Sequence, residues 1–195
     1  YYMVFLVNEA GTPSQADTVR INARPMTRAY NGYGVFEDGS AVAGGGLDGN
    51  GYAFSSALLG TQLNWNGSSF AFGPANGPNI VSSAAVDLPQ GRYAALNILA
   101  TAVNGDQANQ SFVVTYADGS QTTFKQGITD WYNTPKFQEA VAIAMPARLT
   151  SNGARDPKTF RVFGYSFALD PAKTVSRVTL PNNARVRVLG VEVKP

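Results

Sequence analysis

Turn-forming residues interrupt this chain roughly every ten positions, and that rhythm excludes most folds before any motif is considered. Asn, Asp and Ser accompany 20 Gly and 11 Pro along the 195 residues without a fixed period. Between residues 29 and 91 no segment is long enough for a stable amphipathic helix. Beyond that, apolar runs at 92–103, 111–116, 121–124, 140–149, 159–169, 174–180 and 185–193 read as strands. Asp118-Gly119, between two of them, is the strongest hairpin signal. Arg185-Val186-Arg187-Val188 alternates as a strand with one wet face does. About eight or more strands without βαβ alternation predict an all-β, two-sheet antiparallel β-sandwich of the jelly-roll kind. No blade motif recurs, which excludes a propeller.

The first residues stand apart. Tyr1-Tyr2-Met3-Val4-Phe5-Leu6-Val7 and Asp17-Thr18-Val19-Arg20-Ile21 read as two strands joined by a Gly11-Thr12-Pro13-Ser14 turn. A lone hairpin is marginal in water. The expected division is therefore a terminal hairpin of a preceding domain at 1–22 and a β-sandwich module at 23–195.

Composition narrows the chemistry. The chain has no Cys and no His, so thiolate nucleophiles, Ser-His-Asp triads and Cys- or His-ligated zinc, copper or haem have no ligands within it. Hard, oxygen-seeking ions such as calcium remain open. Net charge is +2, with no cluster of basic and aromatic residues for nucleic acid. The longest apolar stretch, residues 1–7, is too short to cross a membrane as a helix and lacks the basic start of a secretion signal. Most of the 13 acidic residues sit in turns such as Asp38-Gly39 and Asp170-Pro171. Glu139 with Asp130 or Asp156 could make a glycosidase pair, but the spacing does not favour it. The fragment is read as a non-enzyme.

Two resemblances add to this. Residues 1–8, Gly11-Thr12-Pro13-Ser14 and Val19-Arg20-Ile21 resemble the closing hairpin of the immunoglobulin-like domain in galactose oxidase and glyoxal oxidase relatives. That resemblance implies a secreted copper-radical oxidase as parent, with its copper ligands upstream, and no catalytic residue transfers to this chain. From about Ala29 to Val193 the chain resembles a galactose-binding-domain-like β-sandwich module of bacterial secreted carbohydrate-active enzymes. The residues that carry it include Gly46-Leu47-Asp48-Gly49, Tyr116-Ala117-Asp118-Gly119, Asp130-Trp131 and Gly164-Tyr165-Ser166-Phe167. It implies an extracellular, accessory, carbohydrate-binding role without naming a sugar.

A sugar site needs an aromatic face for the apolar side of a pyranose beside polar groups for its hydroxyls. Thr129-Asp130-Trp131-Tyr132-Asn133 offers both, so Trp131, Tyr132 and Asp130 are candidate ligand-binding residues. Trp131 could equally plug the end of the sandwich while Asp130 caps a turn. Trp65 faces the same choice. Arg148, with Arg155 and Lys158, could clamp an acidic sugar or be plain surface. Leu47-Asp48-Gly49-Asn50-Gly51 could wrap calcium through Asp48 and Asn50, completed by Glu192, or be a glycine-rich turn held by Asx hydrogen bonds. The expected function is a non-catalytic carbohydrate-binding module that holds a larger secreted enzyme near its polysaccharide. The alternative is a structural or interaction domain that stabilises the parent protein without binding sugar.

Overall fold

The computed structural model describes residues 2–4, 17–19, 26 and 29–195. In chain order the strands are β1 (Tyr2–Val4), β2 (Asp17–Val19), β3 (Val35–Phe36), β4 (Phe54–Ser55), β5 (Gln62–Trp65), β6 (Ser68–Ala71), β7 (Ala85–Gly91), β8 (Ala95–Ala102), β9 (Gln107–Tyr116) and β10 (Gln121–Ile128). They continue as β11 (Ala140–Met145), β12 (Arg148–Leu149), β13 (Arg155–Asp156), β14 (Phe160–Ala168), β15 (Val175–Thr179) and β16 (Val186–Lys194). One helical turn, α1 (Ser56–Leu59), follows β4. It forms in a run too short for an amphipathic helix because the Ser55 hydroxyl accepts the Leu58 amide and Gly60 ends it at positive φ.

Two four-stranded antiparallel sheets, β10-β9-β15-β7 and β11-β14-β8-β16, form the β-sandwich. The chain changes sheet between β7 and β8, β8 and β9, β10 and β11, β14 and β15, and β15 and β16. Alternate side chains of both sheets meet inside: Ile98, Ala100, Phe163, Tyr165 and Val188 from one, Val86, Phe112, Val114 and Val178 from the other. The Asp118-Gly119 hairpin is present as the β9–β10 pair. Its loop closes with Gly119 at φ +82 and its amide on the Tyr116 carbonyl at 3.0 Å, a three-residue loop ending in a left-handed glycine. Asn66-Gly67 joins β5 to β6 with both residues at positive φ, the hairpin turn that matches strand twist.

A third layer was not legible in the sequence. Residues 29–81 cover the outer face of β11-β14-β8-β16, where Val35, Leu47, Phe54, Phe70 and Ile80 bury Leu99, Val162 and Leu189. Residues 96–102 of β8 are therefore buried on both faces. Asn97 is fully buried on the covered side, where its amide group donates to the Ser68 hydroxyl at 2.9 Å and accepts from Asn66 at 3.1 Å. This pins the β5–β6 hairpin onto the sheet.

Two expectations change. The one-wet-face reading of 185–193 fails, because the third layer covers the second face of β16 and Val186 through Val191 are buried except Arg187. Residues 140–149 divide into β11 and β12 at Pro146, which has no amide to continue a ladder. Conversely β7 runs through Pro89 to Gly91, tolerated because β7 is an edge strand. At the N-terminus β1 and β2 pair antiparallel, Met3 opposite Thr18, and the Gly11-Thr12-Pro13-Ser14 turn lies outside the described residues. No helix among the described residues is long and apolar enough to cross a membrane.

Candidate functional site

After β10 the chain crosses one end of the sandwich at residues 129–139, and backbone hydrogen bonds set its path. The Trp131 amide donates to the Ala102 carbonyl at 2.9 Å, and the Trp131 carbonyl accepts from Arg161 at 2.7 Å. Trp131 thus bridges the end of β8 to the start of β14. The Asp130 carboxylate accepts the Tyr132 amide at 2.9 Å and the Gly105 amide at 2.8 Å. Asp106 accepts the Asp130 amide at 2.8 Å and the Asn133 side chain at 3.0 Å, and pairs with Lys136 at 2.5 Å. Burial alone would raise the Asp106 carboxyl. The hydrogen bonds from Lys136, Asn133 and Asp130, with the charge of Lys136, outweigh it and hold the group below its ordinary value.

On this frame stands an aromatic cluster around one guanidinium. Trp131 is 3% exposed, edge-on to Phe54 at 5.2 Å and tilted against Phe160 at 4.6 Å. Arg148 lies 3.5 Å from the Tyr52 ring centre, 4.9 Å from Phe160 and 5.6 Å from Trp131. Its Nε donates to Asp156 at 2.9 Å. Above the cluster, Tyr132 is 53% exposed, its ring 5.6 Å from Phe160, with the Lys158 ammonium 5.8 Å away. Arg161 holds the Tyr132 and Asn133 carbonyls at 3.1 and 3.2 Å. The result is one exposed ring on a rigid aromatic floor, able to stack a flat apolar face beside a cation.

The fold thus brings Trp131, Tyr132, Asp130 and Arg148 into one place. Trp131 lies beneath the surface and both Asp130 oxygens hold backbone amides, which leaves Tyr132 as the ring presented to solvent. Trp65 is elsewhere: half-buried, it packs against Gly164, four positions along β14 from Phe160, roughly 13 Å away at strand rise. Tyr52, Phe54 and Phe160 were not singled out as site residues. They come from distant segments, and only the fold makes them neighbours.

Of the residues considered for calcium, Asp48 and Asn50 share one turn and Glu192 lies on β16. Asp48 Oδ1 accepts the Asn50 and Tyr52 amides at 2.9 and 3.2 Å, and Asn104 donates to the Asp48 carbonyl at 2.8 Å. The first two are the Asx bonds of a glycine-rich turn. Glu192 on β16 lies opposite Asn97 of β8, five positions before the Ala102 end of β8, or roughly 16 Å at strand rise. Among the described residues no three His, Cys, Asp or Glu side chains gather to hold a metal ion.

The carboxylates considered for catalysis each accept a hydrogen bond from the protein. Asp130 caps the crossing loop, and Asp156 pairs with Arg148. Glu139 is 9% exposed, and its Oε2 accepts the Phe137 amide at 2.7 Å. Its Oε1 and the nearby Tyr165 hydroxyl are both buried without a hydrogen-bond partner. Burial and the charge of Glu139 push the Tyr165 phenol up, only partly opposed by the Thr129 backbone.

Residues 23–195 match a protein-family model described as the AziU2-like beta-sandwich domain. The description names a fold and no reaction. No curated protein sequence matches the chain.

Proposed function

As the chain belongs to the AziU2-like β-sandwich domain family, we propose that it is a non-catalytic carbohydrate-binding module of a larger secreted enzyme, with Tyr132 as its contact ring. One observation carries this reading. Tyr132 is 53% exposed while the aromatic floor beneath it is fixed by Phe160 and flanked by Lys158. A large ring held in the open on a rigid base is the element a pyranose face needs. Affinity electrophoresis on galactose-, glucose- and uronate-containing polymers tests it: retardation that Tyr132→Ala removes supports the reading, and no retardation of folded protein by any polymer ends it. The oxidase parent rests on the resemblance of residues 1–21 alone. Gene sequence upstream of Tyr1 tests that part, a kelch propeller being the expected finding and its absence removing the oxidase.

A second reading, a structural or interaction domain that binds no sugar, is favoured by the burial of Trp131 and by the use of both Asp130 oxygens in backbone capping. Under it, neither tryptophan emission nor acrylamide quenching responds to glycans.

A further inference from the structure

The basic residues of segments 129–139 and 148–161 fall into two groups. Arg148 directs Nε to Asp156 at 2.9 Å, Arg155 directs Nε to Asp38 at 2.6 Å, and Lys136 pairs with Asp106 at 2.5 Å. Each of these three charges faces a carboxylate. Lys158 and Arg161 do not: among the described residues neither has a carboxylate within ion-pair distance.

Both of these cations meet the chain at Tyr132. Lys158 is exposed, and its ammonium lies 5.8 Å from the centre of the exposed Tyr132 ring. Cation–π attraction reaches to roughly 6 Å, so the ring holds this ammonium weakly and leaves it able to turn to a better partner. Arg161, half-buried, donates from one terminal nitrogen to the Tyr132 and Asn133 carbonyls at 3.1 and 3.2 Å. It fixes the backbone that presents the ring and adds a second positive charge to the same segment. Asp130, two positions from Tyr132, is 6% exposed, and its oxygens accept the Gly105 and Tyr132 amides. A ligand arriving at the ring therefore meets the ammonium at the surface, with the carboxylate turned into the protein.

We propose that the Tyr132 surface selects an acidic pyranoside, the sugar ring stacking on Tyr132 while its carboxylate or sulfate pairs with the Lys158 ammonium. A neutral sugar competes with the ammonium for the ring and offers it only hydroxyls. An acidic sugar replaces the weak ring contact with a charge-assisted hydrogen bond. The inference rests on the glycan-binding reading above and narrows it to one ligand class.

Affinity electrophoresis of the full chain on polygalacturonate, its methyl ester, a sulfated galactan and a neutral galactan tests it. Polygalacturonate or the sulfated galactan is expected to bind about threefold or more tightly than the neutral polymer, the size of one exposed ion pair. The two acidic polymers separate carboxylate from sulfate, and methyl esterification should remove the advantage of polygalacturonate. Lys158→Gln should lose the same factor and Lys158→Glu more, while Tyr132→Ala abolishes binding. Lys125→Gln, at an exposed position on β10 in the sheet opposite β14, should change nothing. Neutral-polymer binding as tight as acidic, lost in Tyr132→Ala and unchanged in Lys158→Gln, overturns the acidic selection and leaves the glycan-binding reading standing. An equal loss in Lys125→Gln, or acidic-polymer binding that survives Tyr132→Ala, overturns this site in favour of general attraction to a chain of net charge +2. No retardation of folded protein by any polymer overturns both readings.

Discussion

The Arg148 guanidinium carbon lies 3.5 Å from the centre of the Tyr52 ring while its Nε bonds Asp156 at 2.9 Å. The two contacts fix a cation between an aromatic face and a carboxylate, with the Arg148 side chain only 18% exposed. Arg148→Met removes the cation and strands Asp156, for an expected loss of about 2 kcal/mol. Urea unfolding measures it. Arg148→Lys recovers less than half, because an ammonium cannot lie flat on Tyr52 and reach Asp156 in the same geometry.

Gly164 faces the indole of Trp65, and a methyl group there would overlap the ring. Gly164→Ala is therefore expected to expel Trp65 and destabilise the fold by about 1–3 kcal/mol. A red shift of tryptophan emission with a lowered thermal midpoint is the signature. An unchanged spectrum would mean that β14 shifts instead.

Tyr165 gives the alkaline limb of stability a specific source. Its phenol is raised above the ordinary 10.0 in the folded protein, chiefly by burial and then by Glu139. Above pH 10 the unfolded chain releases a proton that the native state keeps, so stability falls as pH rises, by up to about 1.4 kcal/mol per pH unit. Tyr165→Phe should remove this part of the slope. Denaturant midpoints between pH 9 and 11 measure the difference.

At the acid end Asp106 acts with the opposite sign. Its carboxyl is held below the ordinary 3.8, so its contribution is present above that pH and is lost as pH falls further. Protonation releases the Asp130 amide, Asn133 and Lys136 together. Amide exchange in residues 130–136 should accelerate below pH 3.8 before global unfolding, and Asp106→Asn should show that faster exchange already at neutral pH.

Much of the fold was legible because it depends on local chemistry. Asp118-Gly119 and Asn66-Gly67 specify their turns through glycines that reach positive φ without strain, and the apolar runs between turns specify strands. The candidate site was legible only in part. Asp130-Trp131-Tyr132 stood out as a cluster in sequence, yet which ring faces solvent depends on Phe54 and Phe160, and the partners of Arg148 depend on Tyr52 and Asp156. Arg187 looked like the wet side of an amphipathic strand, since nothing near it in sequence announces Ser82, whose hydroxyl accepts from it.

By itself the sequence determined an all-β chain, the positions of most strands and the absence of Cys and His chemistry, because turn formation and side-chain type are properties of a few consecutive residues. Tertiary structure decided the third layer, the burial of both faces of β8 and the half-burial of Arg187. It also placed Asp48, Asp130 and Glu139 where each accepts at least one backbone amide. Burial and desolvation arise from segments tens of residues apart, and those free energies exist only once the chain has closed on itself.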